Sequence, residues 1–165
     1  MKLVTLLSAA ALMTASLSAG DYDALGKAMR STWPQMSTVA VVCDSAHSKG
    51  AVDAISGAMT GMKIIVIDVK GPQDMGKALG TLGGRRPDAV VLVAGDKVAG
   101  DGTSAASFLI QRMAASKVPT LATTEAGVRQ GAVLGVGPGT GGKLLGNAKV
   151  AGVAGVSLPA NASQI

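Results

Sequence analysis

Very little of the chemistry that usually gives away a mechanism is present. The 165 residues contain one cysteine, Cys43, and one histidine, His47. A single cysteine excludes an internal disulfide, so the core alone holds the domain together. One Cys and one His exclude the usual structural zinc set. Tyr22, Trp33 and Phe108 are the only aromatic residues. That excludes a stacking platform for single-stranded nucleic acid and leaves Val, Ile, Leu, Ala and Met to fill the core. Charged residues are sparse at 15%, and the net charge of +5 is scattered, with only Arg85 and Arg86 adjacent. Without a dense basic stripe the chain is no nucleic-acid binder. After residue 20 no long apolar run recurs, which excludes a second membrane-spanning helix.

What is present begins with a leader. Lys2 supplies a basic start, Leu3 to Leu17 an apolar run, and Ser16, Ser18, Ala19 and Gly20 a small-residue close. This is the layout of a secretory signal peptide, too short and too poorly flanked for a spanning helix. Residues 1–19 are therefore expected to be a signal peptide cleaved after Ala19, with Ser18 as the alternative site, and residues 20–165 to form one periplasmic domain. The alternative is an anchor that is never removed.

The rest alternates apolar runs with helical stretches. Strands are expected at Thr38 to Cys43, Lys63 to Val69, Ala89 to Ala94, Thr120 to Thr123 and Ala132 to Val136. Helices are expected at Asp21 to Thr32, Ser48 to Thr60, Pro72 to Leu82, Thr103 to Ser116, Glu125 to Gln130 and, weakly, Gly141 to Val150. In the helix from Thr103, Phe108, Leu109 and Met113 are placed on one side. The strands are near-continuous apolar runs, as parallel strands buried on both faces should be. The fold class is α/β: a doubly wound, mostly parallel five-stranded sheet with helices on both faces, flavodoxin-like.

Ligands of such sheets bind beyond the carboxyl ends of the strands. That rule selects Asp44, Ser45, His47 and Ser48 after the first strand, and Gly95, Asp96 and Lys97 after the third. It selects Thr123, Thr124 and Glu125 after the fourth, and Gly137, Pro138, Gly139 and Thr140 after the fifth. Hydroxyls and short polar groups suit a small polar ligand. The competing reading is that Ser, Asp and Thr here merely cap helices and shape turns.

Five stretches in order carry a family resemblance. They are Trp33 to Val41 (WPQMSTVAV), Arg86 to Val91 (RPDAVV), Gly95-Asp96-Lys97, Lys117 to Leu121 (KVPTL) and Glu125 to Ala132 (EAGVRQGA). Together they resemble the second lobe of ABC-transporter substrate-binding proteins with the type 1 periplasmic binding fold. The resemblance implies solute binding in association with a transporter permease. It also places Asp44, Ser45, Asp96, Thr123 and Thr124 on loops that face the ligand. The other lobe has no counterpart here, and Gly137 to Gly142 stands where the family often carries a Tyr-rich stretch.

Other motifs fail on inspection. Gly137 to Lys143 (GPGTGGK) has P-loop spacing, but Leu144 stands where Ser or Thr should bind magnesium. Asp44, Asp96 and Thr123 sit at strand ends like a phospho-receiver site, with one acid where a receiver has two. His47 with Asp44, Ser45 and Ser48 in one loop lacks the buried orienting acid and oxyanion hole of a triad. Cys43 ends an apolar strand and reads as a small hydrophobe. The residues thus call for no enzyme activity, cofactor or metal. Two functions remain: a module recognising a small polar molecule, with two copies able to rebuild a two-sided cleft as a homodimer, or an accessory protein that docks on another periplasmic protein.

Overall fold

A computed structural model describes residues 19–137 and 142–165. The chain runs α1 (Ala19–Thr32), β1 (Thr38–Cys43), α2 (Lys49–Ala58), β2 (Lys63–Asp68), a 3-10 turn (Pro72–Asp74), α3 (Met75–Arg85), β3 (Ala89–Leu92), α4 (Ser104–Ala115), β4 (Thr120–Ala122), α5 (Glu125–Gln130), β5 (Leu134–Val136), β6 (Leu144–Gly146), α6 (Ala148–Ala154) and β7 (Ser163–Gln164). The expected leader lies outside the described residues apart from Ala19, the first residue of α1.

One seven-stranded sheet runs in the order β2-β1-β3-β4-β5-β6-β7. The first five strands are parallel, in the doubly wound arrangement expected. Beyond them β6 pairs antiparallel with β5, and β7 parallel with β6. The expected count of five strands is corrected to seven. The expected helix over Gly141 to Val150 is also corrected: its described part holds β6, and the helix starts later, at Ala148. The reason is local. Leu144 packs into one core layer and Leu145 into the other, the alternation of a strand. Asn147 then caps α6, its side-chain oxygen accepting from the Val150 amide at 3.1 Å.

Two apolar layers sandwich the sheet. On one face α1, α2 and α6 pack against Val39, Val41, Val91 and Leu121. On the other α3, α4 and α5 pack against Ala40, Val42, Val90 and Leu92. Helix α1 contributes Tyr22, Leu25 and Met29, and Trp33 follows its end, all buried. Burying such side chains stabilises by about 1.5–3 kcal/mol each. Trp33 Nε1 donates to the Ser157 carbonyl at 2.9 Å, tying the helix end to the C-terminal segment. Gly26 lets α1 cross α2 closely, because a Cβ there would collide with the Ala58 carbonyl. In α4 the buried residues are Ala105, Ala106, Leu109, Ile110 and Met113; Phe108, expected beside Leu109 and Met113, is instead 41% exposed on the outer side. Cys43 is free and fully buried, and burial pushes its thiol up to about 12, so it acts as a small hydrophobe.

Candidate ligand-binding site

The in-register pairing of β1 with β2 sets Cys43 beside Asp68, so the loops that follow leave the sheet side by side. A tight turn follows β1, with the Asp44 carbonyl accepting from the amides of His47 and Ser48. The Asp44 carboxylate is held from two sides. Lys70 Nζ lies 2.6 Å from Oδ1, and His47 Nδ1 lies 2.6 Å from Oδ2. The Lys70 hydrogen bond, then that of His47, lowers the Asp44 pKa to about 2. Lys70 also reaches Asp68 Oδ1 at 3.1 Å, and its own pKa is raised, chiefly by Asp44. Ser45 donates to Asp68 Oδ1 from its amide (2.9 Å) and its hydroxyl (2.7 Å), and these bonds lead in lowering the Asp68 pKa.

Asp96 joins this loop to the one after β3. It is only 5% exposed and accepts four hydrogen bonds. Oδ2 takes the Asp44 amide at 2.9 Å and the Ser48 hydroxyl at 2.6 Å; Oδ1 takes the amides of Val98 at 3.0 Å and Ala99 at 2.8 Å. The turn that brings Asp96 there passes through Gly95, whose φ of 75° favours glycine. With Ser48 turned to Asp96, α2 has no side-chain cap and no acid in its first turn. Its first amides are left for water or a ligand.

A cavity of about 490 Å³ opens over these strand ends. Asp44, His47, Ser48, Lys70, Gly95, Asp96, Lys97 and Val98 line it. Lys97 is exposed, and its ammonium makes no hydrogen bond or ion pair among the described residues. It is the charged group in the cavity left to meet something else.

The residues after β4 form a separate cluster. The Thr124 hydroxyl accepts from the Gly127 amide at 3.0 Å, capping α5, and donates to Asp101 Oδ2 at 2.7 Å. The Thr123 amide also donates to that oxygen, at 3.2 Å. Glu125 pairs with Arg129 one turn along the exposed side of α5, at 2.6 Å. The Thr123 hydroxyl, Tyr22 Oη and Asp101 Oδ1 are buried and none makes a hydrogen bond of good geometry, although the Thr123 and Tyr22 hydroxyls are neighbours. Burial raises the Tyr22 pKa to about 12, with the adjacent Thr123 hydroxyl acting in the opposite direction, and burial raises that of Asp101.

Of the residues selected from the sequence, Asp44, His47, Ser48, Asp96 and Lys97 line one cavity. Ser45 stands beside it, bonded to Asp68. Thr123, Thr124 and Glu125 do not join them. Thr140 lies outside the described residues. The sequence reading missed Lys70, although Lys70 follows β2 by two residues and the strand-end rule, applied to that strand, selects it. It also missed Asp101, whose only signal is an acid in the turn before a helix.

No protein-family model matches the chain, and no curated protein matches it. Solved structures do. A domain solved in complex with L-Trp from Streptococcus pneumonia superposes with a TM-score of 0.67 at 16% identity, covering 87% of this chain and 62% of that one. A ligand-free, open substrate-binding protein with adhesive properties from Clostridium difficile superposes with a TM-score of 0.64 at 15% identity, covering 84% and 57%. The chain spans about three fifths of the length of these solved chains. What they show is the fold, that of one lobe of an ABC-transporter substrate-binding protein.

Proposed function

We propose that this chain is an exported, solute-binding-like protein that recognises a small polar molecule at the carboxyl ends of β1, β2 and β3, in association with an ABC transporter in the periplasm. The observation that carries the reading is the cavity of about 490 Å³ with the unengaged Lys97 ammonium on its wall. The first turn of α2, free of acids and of a side-chain cap, opens at the same strand ends. A ligand suited to both presents an anion or a strong acceptor. Asp44, His47 and Lys70 line the same cavity as a prearranged charged cluster, and Asp96 ties the loops after β1 and β3 together there. Small-molecule sites usually enclose most of their ligand. A second copy facing these strand ends would supply the opposite half of the cleft.

The experiment is a thermal-shift and calorimetric titration of the exported chain with amino acids, small carboxylates and their amides. Saturable binding by one class, lost in Lys97→Ala without loss of stability, supports the reading. Absence of binding across the set, or equal binding by Lys97→Ala, overturns it.

A second reading is an accessory protein that has lost ligand transport. What favours it is that Ser45, Ser48, Asp96 and Thr124 spend their polar groups on internal bonds. Under it, the same titrations are silent and the chain works through a protein partner.

A further inference from the structure

We propose that the trough between α3 and α4, on the sheet face remote from α1 and α2, docks an acidic amphipathic helix of a partner protein. Two adjoining cavities, of about 530 Å³ and about 330 Å³, form the trough and share Gly83, Met113 and Ser116. Its floor is apolar and recessed: Leu82 and Met113 are buried, and Leu79 is half-buried. Phe108 stands at one side, 41% exposed, with the Arg112 guanidinium 5.3 Å from its ring centroid.

The α3 wall of the trough is open. Gly76, Gly80 and Gly83 recur at the spacing that puts them on one helix face. Outside the helix's own neighbouring backbone, no described atom lies within 4 Å of where a Cβ would stand at any of the three. Each glycine weakens a helix relative to Ala. Packing within the chain does not require them, whereas close approach of another helix would. α3 has 11 residues, about 16 Å of helix, enough to meet roughly three turns of a partner.

Charge selects the partner. Arg86, just past the end of α3, and Arg112 on α4 line the trough, and neither helix carries an acidic residue. Neither arginine makes an ion pair with a described carboxylate. A helix with Leu or Ala on one face and Glu or Asp beside it would fill the floor and neutralise the walls. A lipid surface fits less well. Interfacial binding inserts apolar side chains that protrude, and here they are recessed apart from Phe108.

The test uses the full exported chain and a fluorescein-labelled helical peptide of about three to four turns, with Leu and Ala on one face and Glu on its flanks. A second peptide carries Lys in place of Glu, and anionic phosphatidylglycerol vesicles are the third probe. Expected is saturable binding of the acidic peptide with a gain of helix in its circular dichroism. Binding should weaken about tenfold in Gly80→Leu, which fills the trough, and by a similar factor in Arg112→Glu, with melting curves unchanged. Equal binding of the Lys peptide, no binding of the acidic one, or no effect of Gly80→Leu overturns the proposal. So does attachment to vesicles that survives Gly80→Leu, which would assign the surface to lipid.

Discussion

Asp96 Oδ2 accepts a hydrogen bond of 2.6 Å from the Ser48 hydroxyl, joining the loops after β1 and β3 across the mouth of the candidate site. The same carboxylate takes the Asp44 amide, so one buried side chain sets both the start of α2 and the position of Asp44. The strand ends are therefore braced from within. Asp96 acts as their strut, and the groups turned outward are left to meet a ligand.

Removing the strut should be costly. Asp96→Ala strands the Val98 and Ala99 amides and frees Ser48. Buried polar groups left unpaired cost about 1–3 kcal/mol each, so a loss of about 3 kcal/mol is expected in urea unfolding. Asp96→Asn, which keeps an acceptor, should recover part of it. A loss below about 0.5 kcal/mol, the size of an ordinary surface effect, would show that the loops hold without the carboxylate.

Asp44 should titrate far below an ordinary aspartate. Its midpoint lies near pH 2 because Lys70 and His47 favour the ionised form. A depressed carboxylate adds stability above its unfolded value of about 4, and that stability is lost as pH falls toward 2. Carboxyl NMR titration should show the low midpoint in the wild type and a move toward about 4 in Lys70→Ala. An unmoved midpoint in that variant would mean that the lysine does not hold the charge.

Asp101 should behave in the opposite sense. Burial raises its pKa, and Oδ1 has no partner. Its ionisation therefore opposes folding as pH rises above the ordinary value of about 4. Asp101→Asn keeps an acceptor for Thr123 and Thr124 and carries no charge. It should match or exceed wild-type stability at neutral pH and lose that advantage in acid. A variant clearly less stable at neutral pH would mean that the charge itself is required.

The core of the fold was legible because β1 and β3 are unbroken apolar runs, and Val39 to Val42 and Val90 to Leu92 are fully buried as that pattern demands. β6 was not legible. Three residues, Leu144-Leu145-Gly146, carry too little periodicity to separate a strand from a helix start, and only the tertiary pairing with β5 decides it. Phe108 was misplaced for a related reason: the face of α4 turned to the core is the arc holding Ala105, Leu109, Ile110 and Met113, and Phe108 falls outside that arc although it adjoins Leu109 in sequence. Within the site, strand-end position identified the lining residues. It could not tell that Thr124 is spent on a helix cap and Asp96 on four internal bonds, because capping and ligand binding call on the same residue types. Lys70, two residues past β2, was within reach of the same rule; Asp101 acts through Thr123 and Thr124, distant in sequence, which no local motif encodes.

The most direct test of the central claim is a native mass spectrum of the protein, wild type beside Lys97→Ala, purified without added ligand. The account predicts a small extra mass on the wild type, on one chain or on a facing pair, and its loss in the variant at unchanged stability. A bare wild-type monomer, or a mass retained equally by both proteins, would contradict the assignment of this cavity as the ligand site.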